Sequence, residues 1–228
     1  MTERHLPWRV MLLCAAGGSL DAVTVIAVGD AFASVMTGNI ILLGVAAGSA
    51  DLSAMLACVA AIGGYVVGGL VGSWWTGRRR REGEDPLWPA RVTEALGIEA
   101  ALLLAVAVTW ALVADVAGTG ATIGLLSLAA MAMGIQGAAV RAIGVTVATT
   151  YMTGAITGIA EAVAQRKPFS AQHRNGLYGL AALLVGALAG GLLVLSAERW
   201  AIFLPVTALV VVVLTAVLTH RRTARDRS

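Results

Sequence analysis

The chain has 228 residues, of which 58% are hydrophobic and 13% are charged, with 16 basic and 13 acidic side chains. The charged share is about half that of a typical soluble domain. Because so few charges cannot cover a soluble surface, the composition excludes a disordered protein, a nucleic-acid-binding protein and an ordinary cytosolic enzyme. It predicts an all-α fold, a polytopic transmembrane helix bundle.

Eight apolar segments follow one another along the chain, and a helix needs about 20 apolar residues to cross the membrane core. In order, the segments cover residues 8–28, 32–50, 52–75, 92–117, 119–140, 145–164, 176–197 and 200–219. Both the second and the sixth segment are long enough to cross.

The basic clusters favour a topology in which those two segments do not cross. If all eight segments cross from a cytoplasmic N-terminus, the arginines at 78–81 and Arg141 lie outside, against the positive-inside rule. If the second and sixth segments enter and leave on the same side, every basic residue except Arg199 lies inside. We therefore expect about six crossings plus two broken or re-entrant helices in the inner membrane, with both termini cytoplasmic. Full crossing of residues 32–50 and 145–164 remains open.

An internal repeat divides the chain in two. The sequence Met-Thr-Gly-x-Ile begins at Met36 and again at Met152, and the glycines at 64, 68 and 69 recur at 186, 190 and 191, offset by 122. Residues 1–117 and 118–228 are therefore predicted to be two transmembrane repeats of one membrane domain. Because matching segments would run in opposite directions, we expect inverted repeats, as in many transporters.

Four stretches of sequence resemble a known family. These are GGSLDAV and FASVMTGNIILLG in the first half, and MGIQGAAVRAIGV and TTYMTGAITG in the second. They resemble the YoaK family of bacterial polytopic membrane proteins, which carry a domain of unknown function. The resemblance implies an inner-membrane protein, for which a transport role is at most suspected, and it brings no substrate. The chain departs from the pattern at Gly137, where relatives often have Asn.

Polar residues inside apolar segments are the candidates for function, because intramembrane charge is costly unless it is paired or hydrated. Asp21 is the first, as a proton or cation site. The alternative is that Asp21 caps a helix that restarts after the preceding glycines, or pairs with Arg141. Arg141 itself is expected to anchor a helix end, with an anion ligand as the alternative. Glu99 lies deeper in its segment than Glu94, and its role stays open.

The repeated Met-Thr-Gly sequence supplies the other candidates, because Gly and Thr weaken a helix locally and a broken helix exposes backbone polar groups. Matching residues of the two halves would approach from opposite membrane faces. The predicted substrate or ion site is formed by Asp21, Thr37, Gly38, Asn39, Gln136, Thr153 and Gly154. The alternative is that these small residues only let helices pack closely.

Catalysis is not expected, because the chain has no P-loop, no HExxH and no GxSxG sequence. We therefore predict no catalytic residue, no cofactor and no metal. The expected function is a small-molecule transporter or channel of unknown substrate, coupled to protons if Asp21 titrates. The alternative is a non-transporting scaffold or sensor that binds lipid or partner helices. Expected partners are the lipid bilayer, an unknown small molecule or ion, and a second copy through glycine-rich helix faces, but not nucleic acid.

Overall fold

The computed structural model describes residues 6–78, 88–144 and 152–225, and within these ranges all regular structure is helical. The α-helices are α1 (Leu6–Val23), α2 (Met36–Gly48), α3 (Leu52–Thr76), α4 (Ala90–Val113), α5 (Thr119–Ala142), α6 (Met152–Ala164), α7 (Ala171–Ala201) and α8 (Phe203–Arg225). A π-helix, Thr24–Gly29, continues α1. The prediction of an all-α polytopic bundle is confirmed.

Six helices are long and apolar enough to cross a membrane, namely α1 with its π-helical end, α3, α4, α5, α7 and α8. The other two, α2 and α6, have 13 residues each. At 1.5 Å per residue each is roughly 20 Å long, which is shorter than the membrane core of about 30 Å. The expected number of about six spanning helices agrees with these lengths, and the re-entry of the other two stays a prediction. The first part of the sixth apolar segment, residues 145–151, lies outside the described residues.

Side-chain bonds show which helix ends lie together. Arg9, at the start of α1, donates to the hydroxyl of Thr219 near the end of α8, at 2.8 Å. The indole of Trp75, at the end of α3, donates to the carboxylate of Glu94 at the start of α4, at 3.1 Å. These ends, with the end of α5, form one end of the bundle. We call it the basic end because it carries Arg9, Arg78, Arg91, Arg141 and the arginines of α8.

The opposite end of the bundle carries mostly acidic residues, and we call it the acidic end. Asp30 and Asp51 line the same cavity there, next to the start of α5. Asp115 forms an ion pair with Arg199, which joins the end of α4 to the end of α7. The charges therefore divide between the two ends as the basic clusters predicted.

Glycines set the closest helix contacts. Gly64 and Gly68 of α3 lie against the backbone of Ser127 and Met131 of α5, in the same order, so these helices run parallel. In the same way Gly186 and Gly190 of α7 lie against Ala15 and Ser19 of α1. A methyl group at any of these glycines would overlap a backbone carbonyl. The glycine-rich faces are thus used inside the chain.

The two glycine contacts correspond to each other. The contact of Ala15 with Gly186 matches the contact of Met131 with Gly68. The contact of Gly18 with Leu183 matches the contact of Gly134 with Tyr65. The offset is 116 residues from α1 to α5, as for Met36 and Met152. From α3 to α7 it is 118 rather than the predicted 122. The two offsets differ by about one helical turn. Glycines spaced four apart can be aligned equally well after a shift of four residues, so the sequence alone does not distinguish the two offsets.

Candidate functional site

Asp21 anchors a loop that returns into the bundle. The residue is 6% exposed, and its carboxylate accepts the backbone N–H of Ser34 at 2.7 Å and the hydroxyl of Ser34 at 2.5 Å. Asp30, nine residues after Asp21, ends the π-helix in a left-handed conformation, with φ of 54°. The chain then turns back along α1 to bring Ser34 to the depth of Asp21.

Asn39 holds the same loop from the other side. It is fully buried, and its side-chain oxygen accepts the N–H of Phe32 at 2.9 Å while its side-chain nitrogen donates to the carbonyl of Phe32 at 2.7 Å. The Asn39 amide therefore satisfies both backbone groups of Phe32. Since buried irregular backbone is tolerated only where its polar groups are satisfied, Asp21 and Asn39 together explain how this loop lies inside the bundle.

The loop and α2 form a re-entrant unit. The loop descends from Asp30, and α2 starts at Met36 and ends at Gly48, just before Asp51. Asp30 and Asp51 line one cavity of about 370 Å³ at the acidic end. Asp51 also caps α3, because its side chain accepts the N–H of Ala54 at 3.0 Å. The second apolar segment therefore enters and leaves at the acidic end.

The structure divides the predicted site residues among three places. Asp21, Asn39 and Gly38 surround the loop, where Gly38 lies against the ring of Phe32. Thr37, Thr153 and Gly154 are exposed on the outer surface of α2 and α6. Gln136 is buried in α5, at 4% exposed. The structure thus brings together only the first group, and Ser34 rather than Arg141 is the bonded partner of Asp21.

Glu99 is a buried carboxyl that the predicted site leaves out. It lies in the middle of α4 and is 1% exposed, and neither of its carboxylate oxygens has a hydrogen-bond partner among the described residues. Its signal in the sequence is an acid deep inside an apolar run. Glu99 was hard to single out because the same segment also contains Glu94. The helix dipole stabilises acidic residues near a helix start and so gives Glu94 an ordinary explanation.

Gln136 has the same kind of unsatisfied group. Its side-chain oxygen is buried and has no partner in the described part of the chain. Helices α4 and α5 pack against each other, and Glu99 and Gln136 lie 14 residues before Val113 and 17 residues after Thr119. Helical rise puts them roughly 21 Å and 26 Å from the acidic end, within about one turn of each other in depth.

Among the described residues, the helices that pack against α4 have no charged side chain near the depth of Glu99. Helices α3, α5, α7 and α8 all pack against α4, and their charged residues are confined to the helix ends, where Arg141, Arg174, Glu198 and Arg221 are examples. A buried carboxyl and a buried amide oxygen, each without a partner in the described structure, are groups that can accept a proton or bind a cation. Glu99 and Gln136 are therefore the best candidates for an internal polar site.

The sequence model of the family described as "Protein of unknown function (DUF1275)" matches residues 10–215. The chain belongs to this family. This DUF1275 protein is also 34% identical over 96 residues to the UPF0700 transmembrane protein YoaK of Bacillus subtilis (strain 168), and the match covers 42% of the chain. The matched part spans only 41% of that relative's length. No solved structure matches the chain. The predicted YoaK-family membership is confirmed, and the chain is a multi-pass membrane protein.

Proposed function

We propose that this DUF1275 protein is a transporter or channel for a small molecule or ion, with Glu99 and Gln136 as its internal polar site. The observation that carries the proposal is the carboxyl of Glu99, which is buried at mid-helix with both oxygens unsatisfied in the described structure. Such groups cost several kcal/mol within a membrane and typically mark proton, ion or substrate pathways. The proposed role is not catalytic.

The arrangement of the two halves supports this proposal. Glycine contacts of α1 with α7 and of α3 with α5 repeat at constant offsets, as two inverted repeats, residues 1–117 and 118–228, would require. Transporters built from inverted repeats bind their substrates near the membrane midplane, between the repeats. Glu99 comes from the first half and Gln136 from the second, so their position fits that pattern.

Proton coupling is proposed at Glu99 rather than at Asp21. The Asp21 carboxylate already accepts two bonds from Ser34, whereas Glu99 accepts none in the described structure. For orientation, we propose that the basic end and both termini face the cytoplasm across the inner membrane. The arginines of α1, α4, α5 and α8 at that end support this orientation through the positive-inside rule.

Flux into proteoliposomes tests the proposal. Purified protein would be reconstituted around a trapped pH-sensitive dye, and proton movement would be followed after adding amino acids, carboxylates, sugars or inorganic anions in turn. We expect solute-dependent proton flux that Glu99→Gln reduces at least tenfold. The matched control is Glu161→Gln, because Glu161 is an exposed acid on α6, and it should leave the flux unchanged. Wild-type flux that is unaltered by Glu99→Gln would remove Glu99 from the mechanism.

A second candidate is a non-transporting scaffold or sensor that binds lipid or partner helices. The bonds that occupy Asp21 and Asn39 within the loop favour it, because those two residues then serve the fold alone. The same liposome experiment separates the candidates. The scaffold predicts folded wild-type protein that moves no protons with any of the solutes.

A further inference from the structure

A cavity at the basic end is lined by three arginines. It has a volume of about 480 Å³ and lies where α3 and α5 end and α4 begins. Arg78, Arg91 and Arg141 line it, and Ser73 and Thr76 add hydroxyl groups. Among the described residues, none that lines it is acidic. This cavity therefore combines a concentration of positive charge with room for a ligand of small-molecule size.

Arg91 contributes an unsatisfied guanidinium. Its Nε atom is buried and has no hydrogen-bond partner in the described part of the chain, and no ion pair of Arg91 occurs there. Arg91 is the second residue of α4, and Pro89, the N-cap, provides no side-chain cap. The positive end of the α4 dipole therefore reinforces the charge of Arg91 at the cavity.

Arg78 is held in place by two aromatic rings. Its guanidinium carbon lies 3.7 Å from the ring centre of Trp74 and 4.9 Å from that of Trp75. Stacking on aromatic rings fixes a guanidinium while leaving its N–H groups available at the edge. The nearby Glu94 is not a lining residue, and its carboxylate receives the indole N–H of Trp75. Arg78 and Arg91 thus supply two positive charges that no acid in the described part of the cavity wall offsets.

The position of the cavity indicates which anion it takes. Trp74 and Trp75 lie in the last turn of α3, at the basic end. Tryptophans at the ends of spanning helices lie at the level of the lipid headgroups. Guanidinium groups match the oxygens of a phosphate in paired hydrogen bonds. Basic cavities between spanning helices at this level are suited to phosphate-bearing headgroups.

We infer that the cavity of Arg78, Arg91 and Arg141 binds a phosphate group at the basic end of the bundle. The phosphate belongs either to an anionic lipid headgroup or to a free phosphate in solution. The carboxyl ends of α3 and α5 also reach the cavity, and the arginines offset their negative dipole ends. This binding site does not depend on the proposed transport activity.

Two binding measurements on the full chain test the inference. In the first, inorganic phosphate is titrated against protein in phosphatidylcholine nanodiscs. In the second, retention of phosphatidylglycerol by detergent-solubilised protein is measured by native mass spectrometry. Binding in the first identifies free phosphate as a source, and binding in the second alone identifies the lipid headgroup. We expect Arg91→Gln to weaken the binding at least tenfold. Because these measurements need no flux, their result is independent of the liposome experiment.

The matched control is Arg174→Gln, which removes the same charge from an exposed position at the start of α7. It should change the binding less than twofold. Since Arg91 has no bond to lose in the described structure, Arg91→Gln should fold normally, as checked by size-exclusion chromatography, and Arg78→Gln provides a second variant with the same expected loss. Failure of both probes to bind, or equal weakening by the cavity variants and Arg174→Gln, would overturn the inference.

Discussion

The carboxylate of Asp21 accepts both the backbone N–H and the hydroxyl of Ser34, 13 residues later in the chain. This relationship holds a non-helical stretch beside α1, where an unsatisfied backbone group would cost several kcal/mol. Asn39 satisfies the backbone of Phe32 in the same stretch. The polar residues that look most functional in the sequence thus explain how a chain segment turns back before α2.

The bond between Asp21 and Ser34 should be measurable as a coupling energy. We expect Asp21→Ala and Ser34→Ala each to lower the free energy of unfolding by about 2 kcal/mol. The double variant should lose at least about 1 kcal/mol less than the sum, because both changes remove the bond between the Ser34 hydroxyl and the Asp21 carboxylate. Equilibrium unfolding in mixed micelles gives these values. Additive losses would show that the two residues do not act together.

Asn39 should matter more for stability than its neighbour Thr37. Asn39→Leu removes two bonds to Phe32 and leaves a buried N–H and carbonyl unsatisfied, at a cost of about 2–4 kcal/mol in unfolding free energy. The control Thr37→Val changes an exposed side chain, and its effect should stay within about 0.5 kcal/mol. Thermal unfolding of the two variants in detergent compares them. Equal melting temperatures would contradict the anchoring role of Asn39.

The glycine contacts predict matched effects in the two halves. Gly68→Ala and Gly186→Ala each place a methyl group against a backbone carbonyl, and each should destabilise the fold by about 2–4 kcal/mol. Gly69→Ala is the control, because nothing lies within 4 Å of its added methyl group, and it should be neutral or slightly stabilising. Yields of monodisperse protein and unfolding curves measure this. A Gly69→Ala loss as large as that of Gly68→Ala would refute the packing.

Glu99 should show a conflict between stability and activity. Glu99→Leu removes an unsatisfied buried carboxyl, so the unfolding free energy should rise by about 1–3 kcal/mol. The same change should abolish proton flux in proteoliposomes. A stability that instead falls by several kcal/mol would mean that Glu99 has a structural partner, and the proposed site would then be wrong.

Charge and small residues made the architecture predictable. The arginine clusters near Arg78 and Arg141 favoured two non-crossing segments, and the described helices of those segments, α2 and α6, have 13 residues each. Glycines at intervals of four residues marked the faces of α3 and α7 that pack closely. Aligning Gly18 with Gly134 gives an offset of 118 residues between these faces instead of 122, because glycines spaced four apart can be aligned in either register.

The site was less predictable, because hydrogen bonding depends on the path of the chain. Nothing in the sequence indicates that Ser34 folds back to Asp21, since the reversal follows a π-helix and a left-handed Asp30. The sequence therefore predicted a proton or cation site at Asp21 and could not show that its carboxylate bonds to Ser34. Conversely, Glu99 belongs to no motif, and it differs from Glu94 in being buried without a hydrogen-bond partner in the described structure.

The central claim is that the two short helices enter the membrane from opposite faces, and labelling of single cysteines tests it most directly. Cys14 and Cys58, which are both buried, would be replaced by Ala. Ser49→Cys would then report the end of α2, and Gln165→Cys would report the end of α6, since both positions are exposed. In right-side-out vesicles we predict that a membrane-impermeant maleimide labels Ser49→Cys at once and Gln165→Cys only after permeabilisation. Labelling of both from the same side would contradict the account.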